Sequence, residues 1–135
     1  MNASPLPRLS DDELERLALE SAARAPCPSC AGLACRGWEA LPSSFDASRL
    51  RPLGTLQAEG DDEPTLDEYH PAGTRFWSPD APIAPRHFPY NRCEVWQCVQ
   101  CARAFLRYTE YGGYYVEPRI RELAPELLVR EAPGA

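Results

Sequence analysis

Cys93-Glu94-Val95-Trp96-Gln97-Cys98-Val99-Gln100-Cys101 is the stretch on which the reading of this 135-residue chain turns. Its cysteines follow the spacing C-x4-C-x2-C. Far upstream the order is mirrored, with Cys27-Pro28-Ser29-Cys30, four further residues, and then Cys35. Two cysteines separated by two residues sit on one tight turn, so both sulfurs reach a single ion at the distance a tetrahedral site demands. Two such turns supply four thiolates: Cys27, Cys30, Cys98 and Cys101. One C-x-x-C is a weak signal; two make a specific one. The bland alternative, six buried thiols acting as small hydrophobes, ranks below metal binding.

Beyond the second turn the pattern is that of a hairpin. Glu94 to Gln97 reads as a strand entering the turn, and Arg103 to Tyr111 as the strand leaving it. Gly112-Gly113 is then a two-residue hairpin turn, with Tyr114 to Glu117 returning. In that register Tyr111 faces Tyr114, Glu110 faces Tyr115 and Thr109 faces Val116. One face carries Ala104, Leu106, Tyr108 and Tyr115; the other carries Phe105, Tyr111, Tyr114 and Val116. A surface hairpin ordinarily keeps one polar face. The second apolar face therefore needs cover, from the rest of the chain or from a partner.

Two C-x-x-C turns, the second embedded in an antiparallel hairpin, resemble the zinc-ribbon class over residues 27–38 and 93–117. The resemblance implies one structural Zn2+ held by Cys27, Cys30, Cys98 and Cys101. The chain departs from that class in the 67 residues between Cys30 and Cys98, a gap longer than the usual ribbon spacing. Cys35 and Cys93 each lie five positions from the nearer C-x-x-C. The favoured reading makes them ordinary core thiols. The sharper readings are a reversible disulfide beside the zinc, or a six-thiolate cluster with a second ion. A closed four-thiolate site contributes folding free energy on the order of 10 kcal/mol, which would let a chain with 15 prolines fold.

Upstream of the cysteines, Ser10 and Glu13 form a capping box, with Leu9 and Leu14 as a hydrophobic staple. Asp11, Asp12 and Glu13 suit the positive end of a helix dipole. Leu14, Leu17, Ala18 and Ser21 make a narrow seam, and Pro26 stops the helix. Ala31 to Trp38 is expected as a short strand. Residues 39–92 are broken by eleven prolines and glycines, so loops are expected, with one or two brief strands such as Arg75 to Trp77. Their aromatic and aliphatic residues are too numerous for a free linker, so this insertion should pack on the metal-bearing core. Pro118 to Leu123 reads as a short helix opening with proline, followed by Glu126 to Arg130 and a tail from Ala132.

Composition sets outer bounds. The length fits one domain, residues 1–135, with a modest core. No apolar run reaches the roughly 18 residues of a membrane span, and the first residues carry no secretory leader pattern. Paired thiols in a cytoplasmic chain point to metal or redox chemistry more than to disulfides. All 14 basic residues are arginine, which with abundant alanine, proline and leucine fits a bacterial, GC-rich source. The net charge of −6 weighs against general nucleic-acid affinity. The acidic run at 59–68 reads as a solvated loop.

Catalytic motifs are weak. The zinc deaminase pattern needs a His-x-Glu upstream of its cysteines, whereas His70 and His87 lie between the two pairs. Either histidine as a zinc ligand would create an open hydrolytic site, which four thiolates make unnecessary. Cys27-Pro28-Ser29-Cys30 as a redox dithiol lacks the helix that should follow it. Arg103, Arg107, Arg119 and Arg121 near Tyr111, Tyr114 and Tyr115 could bind a nucleic-acid strand by charge and stacking.

The sequence therefore points to an α+β fold. Its parts are an N-terminal lead-in and helix (1–26), a first knuckle (27–38), a proline-rich insertion (39–92), a second knuckle with hairpin (93–117), and a C-terminal helix and tail (118–135). The expected function is that of a non-enzymatic structural-zinc protein that binds another protein, as adaptor, regulator or immunity-type inhibitor. Its contact surface would be Phe105, Tyr111, Tyr114, Tyr115 and Val116. The alternatives are a nucleic-acid-binding or transcription-associated ribbon, and a thiol redox sensor or zinc-dependent enzyme.

Overall fold

The structure is a computed structural model that describes residues 6–33, 35–58, 60 and 62–130. The first five residues of the lead-in and the tail from residue 131 lie outside that set. Helix α1 spans Asp11–Ala22 and five strands follow: β1 (Glu39–Ala40), β2 (Leu50–Thr55), β3 (Glu94–Cys98), β4 (Ala104–Tyr111) and β5 (Val116–Glu122). The strands form one antiparallel sheet in the order β1-β5-β4-β3-β2. The α+β reading holds.

Helix α1 begins where the sequence places it. Ser10 Oγ accepts from the Glu13 N–H at 3.1 Å, and Glu13 Oε1 accepts from the Ser10 N–H at 2.8 Å. Leu14, Ala18 and Ser21 of the seam are buried. The last turn has no basic residue of its own. Arg103, just before β4, takes that role by donating to the carbonyls of Ser21 (3.3 Å) and Arg24 and to Glu122 Oε2 (2.8 Å). A cation at the negative end of the helix dipole is favourable. Ser21 Oγ in turn accepts from the Ala104 N–H at 2.8 Å.

Alternation along the strands divides the core in two. On one sheet face Val95, Leu106, Tyr108 and Leu123 pack with Leu14 and Ala18 of α1, and with Trp38, Leu56, Ile83 and Tyr90 from the connecting segments. The insertion therefore does cover this face, as its apolar content required. Trp38 meets the Tyr108 ring edge-on, centroids 4.9 Å apart. The opposite face holds Leu33, Leu41, Leu50, Phe105 and Ile120 around Cys30 and Cys98.

Several expectations need correction. Among the described residues of 31–38 no strand forms: Ala31–Leu33 make a 3₁₀ turn, and Trp38 is a core residue. Arg75 to Trp77 lies in a turn, and the long strand of the insertion is β2 instead. Pro52 and Gly54 hid it. Pro52 sits at an edge-strand bulge that needs no N–H donor. Gly54 lets the lead-in approach, since a Cβ there would lie 2.7 Å from the Pro7 carbonyl and from Leu9 Cγ.

Residues 118–122 are not helical; they continue β5. Pro118 lies opposite Thr109, where its missing N–H breaks no bond to β4, and its carbonyl accepts from the Leu41 N–H. Only Pro125–Leu127 form a 3₁₀ turn, in place of the expected C-terminal helix. The hairpin turn also moves. The Gly112 N–H donates to the Tyr115 carbonyl at 2.9 Å, which closes the loop around Gly113 and Tyr114 and pairs Tyr111 with Val116. A shift of two residues in register keeps the strand side chains on their expected faces and moves Tyr114 from the strand into the turn.

Arg103 links helix, sheet and Glu122 with both side chains largely buried (14% and 10% exposed). Removing one member of such a pair strands the other. Arg103→Ala is expected to lower the unfolding free energy by about 3 kcal/mol, with Arg24→Ala near neutral, both measured by urea denaturation.

Candidate metal centre

Each cysteine pair is held by its own turn, and the two turns are tied together. In the first, the Cys30 N–H donates to the Cys27 carbonyl (3.1 Å) and the Leu33 N–H to the Cys30 carbonyl (2.9 Å). In the second, between β3 and β4, the Ala102 N–H donates to the Cys98 carbonyl (3.0 Å) and the Cys98 N–H to the Arg103 carbonyl (2.8 Å). Ala102 adopts φ 68°, a left-handed conformation that a side chain disfavours. Arg49 joins the turns: its carbonyl accepts from the Val99 N–H (3.0 Å), and its guanidinium donates to the Ser29 carbonyl (3.3 Å).

The four sulfurs converge. All lie within 4.8 Å of one another, and three separations are 3.4 Å (Cys30 to Cys101), 3.5 Å (Cys27 to Cys98) and 3.8 Å (Cys27 to Cys30). A tetrahedron with bonds of about 2.3 Å to zinc has sulfur–sulfur edges of about 3.8 Å. The residues therefore fit one divalent ion. Cys30 and Cys98 are 1% exposed, while Cys27 and Cys101 are partly exposed. Among the described residues no histidine or carboxylate joins the group. Four thiolates form a soft, closed donor set, which matches a structural site rather than one with an open position for substrate.

The electrostatics of the metal-free thiols are uneven. Burial raises the Cys27 pKa, but the N–H groups of Cys30 and Ser29 and the neighbouring sulfurs outweigh it and bring the thiol down to about 7. Burial pushes Cys30 upward, its neighbouring sulfurs adding to the rise. Binding an ion must displace the remaining protons.

Cys35 and Cys93 do not meet. Cys35 packs on the cysteine face, its thiol against the carbonyls of Leu33 (3.2 Å) and Ile120 (3.5 Å). Cys93 is fully buried on the helix face, its thiol against the Pro89 carbonyl (3.2 Å). The Cys35 carbonyl accepts from Glu122 of β5, which puts Cys35 about three strand spacings, or ~14 Å, from the head of β3. That exceeds the reach of a disulfide. Neither the paired-thiol reading nor the six-thiolate reading survives, and both residues are core thiols.

The remaining candidates fall elsewhere. His70 bonds Glu68 Oε1 and Thr74 Oγ1, both at 2.7 Å, and His87 lies tilted against the Tyr69 ring. Arg119 bonds Tyr108, Glu110 and Glu117, and Arg121 is fully buried against Tyr90 Oη at 2.6 Å. Phe105 is buried, so it belongs to the core and not to any contact surface. Tyr111, Tyr114, Tyr115 and Val116 are exposed. Sequence reasoning missed Arg49 and Ala102, because neither belongs to a motif or a periodic pattern. Comparisons with protein families, curated proteins and solved structures gave no match.

Two outcomes follow from this geometry. Purified protein should carry one zinc per chain by elemental analysis, and Cys98→Ser or chelation should abolish cooperative unfolding, on the order of 10 kcal/mol being lost with the ion. Burial lifts the Cys35 thiol to about 12, so the folded state keeps a proton that the unfolded chain gives up. Stability is then full below about pH 9 and falls as pH rises toward 12. Cys35→Ala should flatten that alkaline fall, as followed by unfolding at fixed urea.

Proposed function

We propose that this is a non-enzymatic, zinc-stabilised protein that acts by holding out an aromatic hairpin tip to another protein. One observation carries the reading. Tyr111, Tyr114, Tyr115 and Val116 are 75%, 104%, 51% and 64% exposed, and all sit at one end of the β4–β5 hairpin. Contiguous exposed apolar side chains on a monomer mark contact sites, and tyrosine is a residue that protein interfaces favour.

The hairpin also runs past its neighbours. Strand β3 pairs with β4 only as far as Arg107, and β1 pairs with β5 only at Arg119 and Ile120. A metal tie at the far end of β3 and β4 anchors a projection that cannot stabilise itself, since an isolated two-stranded hairpin is marginal in water. The ion is structural in this reading and takes part in no reaction.

The nucleic-acid alternative is weaker for a physical reason. Of the four arginines it relied on, Arg121 is buried, and Arg103 and Arg119 are committed to ion pairs. Among the described residues no helix is long and apolar enough to cross a membrane.

The test separates contact from stability. Tyr114→Ser with Tyr115→Ser should leave zinc content unchanged and the unfolding free energy within about 0.5 kcal/mol. The same variant should lose proteins that the parent captures from extracts of its source. Equal capture by parent and variant would overturn the reading.

A further inference from the structure

The hairpin has an open backbone edge as well as an aromatic tip. Residues of β4 alternate in the direction of their backbone groups. The Ala104 carbonyl accepts from the Leu123 N–H and the Gly112 N–H bonds Tyr115, so even-numbered positions face β5. Odd-numbered positions face β3, as the bond from Cys98 to the Arg103 carbonyl shows. The β3 partners end at Glu94, opposite Arg107. The next position, Arg92, belongs to a 3₁₀ turn. Among the described residues, the N–H and C=O of Thr109 and of Tyr111 therefore have no backbone partner. Both residues are exposed.

A groove of about 380 Å³ runs along this edge, lined by Arg92, Arg107, Thr109 and Tyr111 with Glu94 and Asp62. Its charged groups are not equivalent. Arg92 donates to the carbonyls of Pro64 (2.7 Å) and Thr65 (3.3 Å), and Glu94 accepts from the Trp96 indole N–H (2.9 Å). Asp62 is an exposed carboxylate of the lining. Arg107 lies over the Trp96 ring, 4.4 Å from its centroid. No hydrogen bond or ion pair engages its guanidinium among the described residues, although the side chain is half-buried. Burial pushes its pKa down, which Glu94 opposes.

The geometry points to strand addition. An extended segment of a partner protein pairs with β4 at Thr109 and Tyr111, as a short sixth strand beyond the end of β3, and seats a carboxylate side chain on Arg107. Unpaired sheet edges recruit extended chains through main-chain bonds, and side-chain pockets supply the selectivity. A guanidinium held over an aromatic ring presents its N–H fork to a carboxylate with little further ordering cost. The segment is thus extended, acidic at one position and apolar where it meets Tyr111. This inference rests on the proposed protein-binding role and specifies how the partner is held.

The experiment uses the zinc-loaded chain and a random linear-peptide library displayed on phage. Enriched peptides are synthesised and measured by calorimetry and by amide hydrogen exchange. The expected peptides carry an Asp or Glu, slow the exchange of the Thr109 and Tyr111 amides, and bind more weakly as salt is raised. Thr109→Pro removes only the outward N–H, because Thr109 makes no backbone bond to β5. It should weaken them about tenfold, and Arg107→Gln by at least as much. Exchange in the parent protein needs no variant and guards against a misfolded Thr109→Pro.

Peptides that are lost in Tyr114→Ser with Tyr115→Ser, but leave Thr109 and Tyr111 exchanging freely, overturn strand addition and spare the protein-binding role. No enrichment over a zinc-free control overturns both. A concentration-dependent dimer abolished by Thr109→Pro makes the occupant a second copy of this chain, and overturns the partner assigned here.

Discussion

Four sulfurs brought within 4.8 Å of one another are the constraint on which the architecture depends. They connect a turn that follows α1 to the turn between β3 and β4, across 67 intervening residues. Without such a tie, closing a loop of that length costs conformational entropy that no nearby regular structure returns. With it, β2 is brought to the edge of β3, and Arg49 at its head bonds both turns. The insertion can then lay Trp38, Ile83 and Tyr90 over the helix face of the sheet. A small core with few helical residues gains the most from a linkage of this kind.

The two sheet faces divide the work. The helix face is built from large aromatic and aliphatic side chains, and it contains two buried arginines, Arg121 bonded to neutral acceptors and Arg119 paired with two carboxylates. Arg121 donates to Tyr90 Oη and the Ala81 carbonyl, while Arg119 spans Tyr108, Glu110 and Glu117. The cysteine face is thinner: Leu33, Leu50, Phe105 and Ile120 enclose the sulfurs, and an ion held by the four cysteines would take the place of a larger hydrophobic layer. Both faces support the same β4–β5 hairpin, which extends past them. Its exposed tyrosines lie at the end remote from the four cysteines, as does the stretch of β4 at Thr109 and Tyr111 that has no backbone partner among the described residues.

Local charge and net charge diverge. The chain is acidic overall, yet among the described residues Arg107 has no ion pair, while Arg103, Arg119 and Arg121 are engaged by carboxylates, carbonyls and tyrosine hydroxyls. Net charge describes the average field. It says little about which cation keeps free donors.

Much of the site was legible from spacing alone. A single C-x-x-C serves metal or redox chemistry alike, but two copies supply the four sulfurs of a tetrahedral donor set whatever the fold between them. The capping box at Ser10 and Glu13 was equally readable, because its bonds are made within four residues. The positions that sequence misjudged depend on partners far along the chain. Pro118 suits a helix start until β1 and β4 lie on either side of it, where its missing N–H breaks no bond to β4. Pro52 and Gly54 break any local strand pattern, yet fit an edge strand with a bulge and a lead-in pressed against it. Cys35 and Cys93 mirror each other in spacing but fall on opposite faces, since strand order and side-chain parity decide where a sulfur points. Short-range hydrogen bonds and ligand spacing were therefore written in the residues themselves. The sheet order, the covered face and the open edge were decided only by packing, because each depends on which distant backbone arrives alongside.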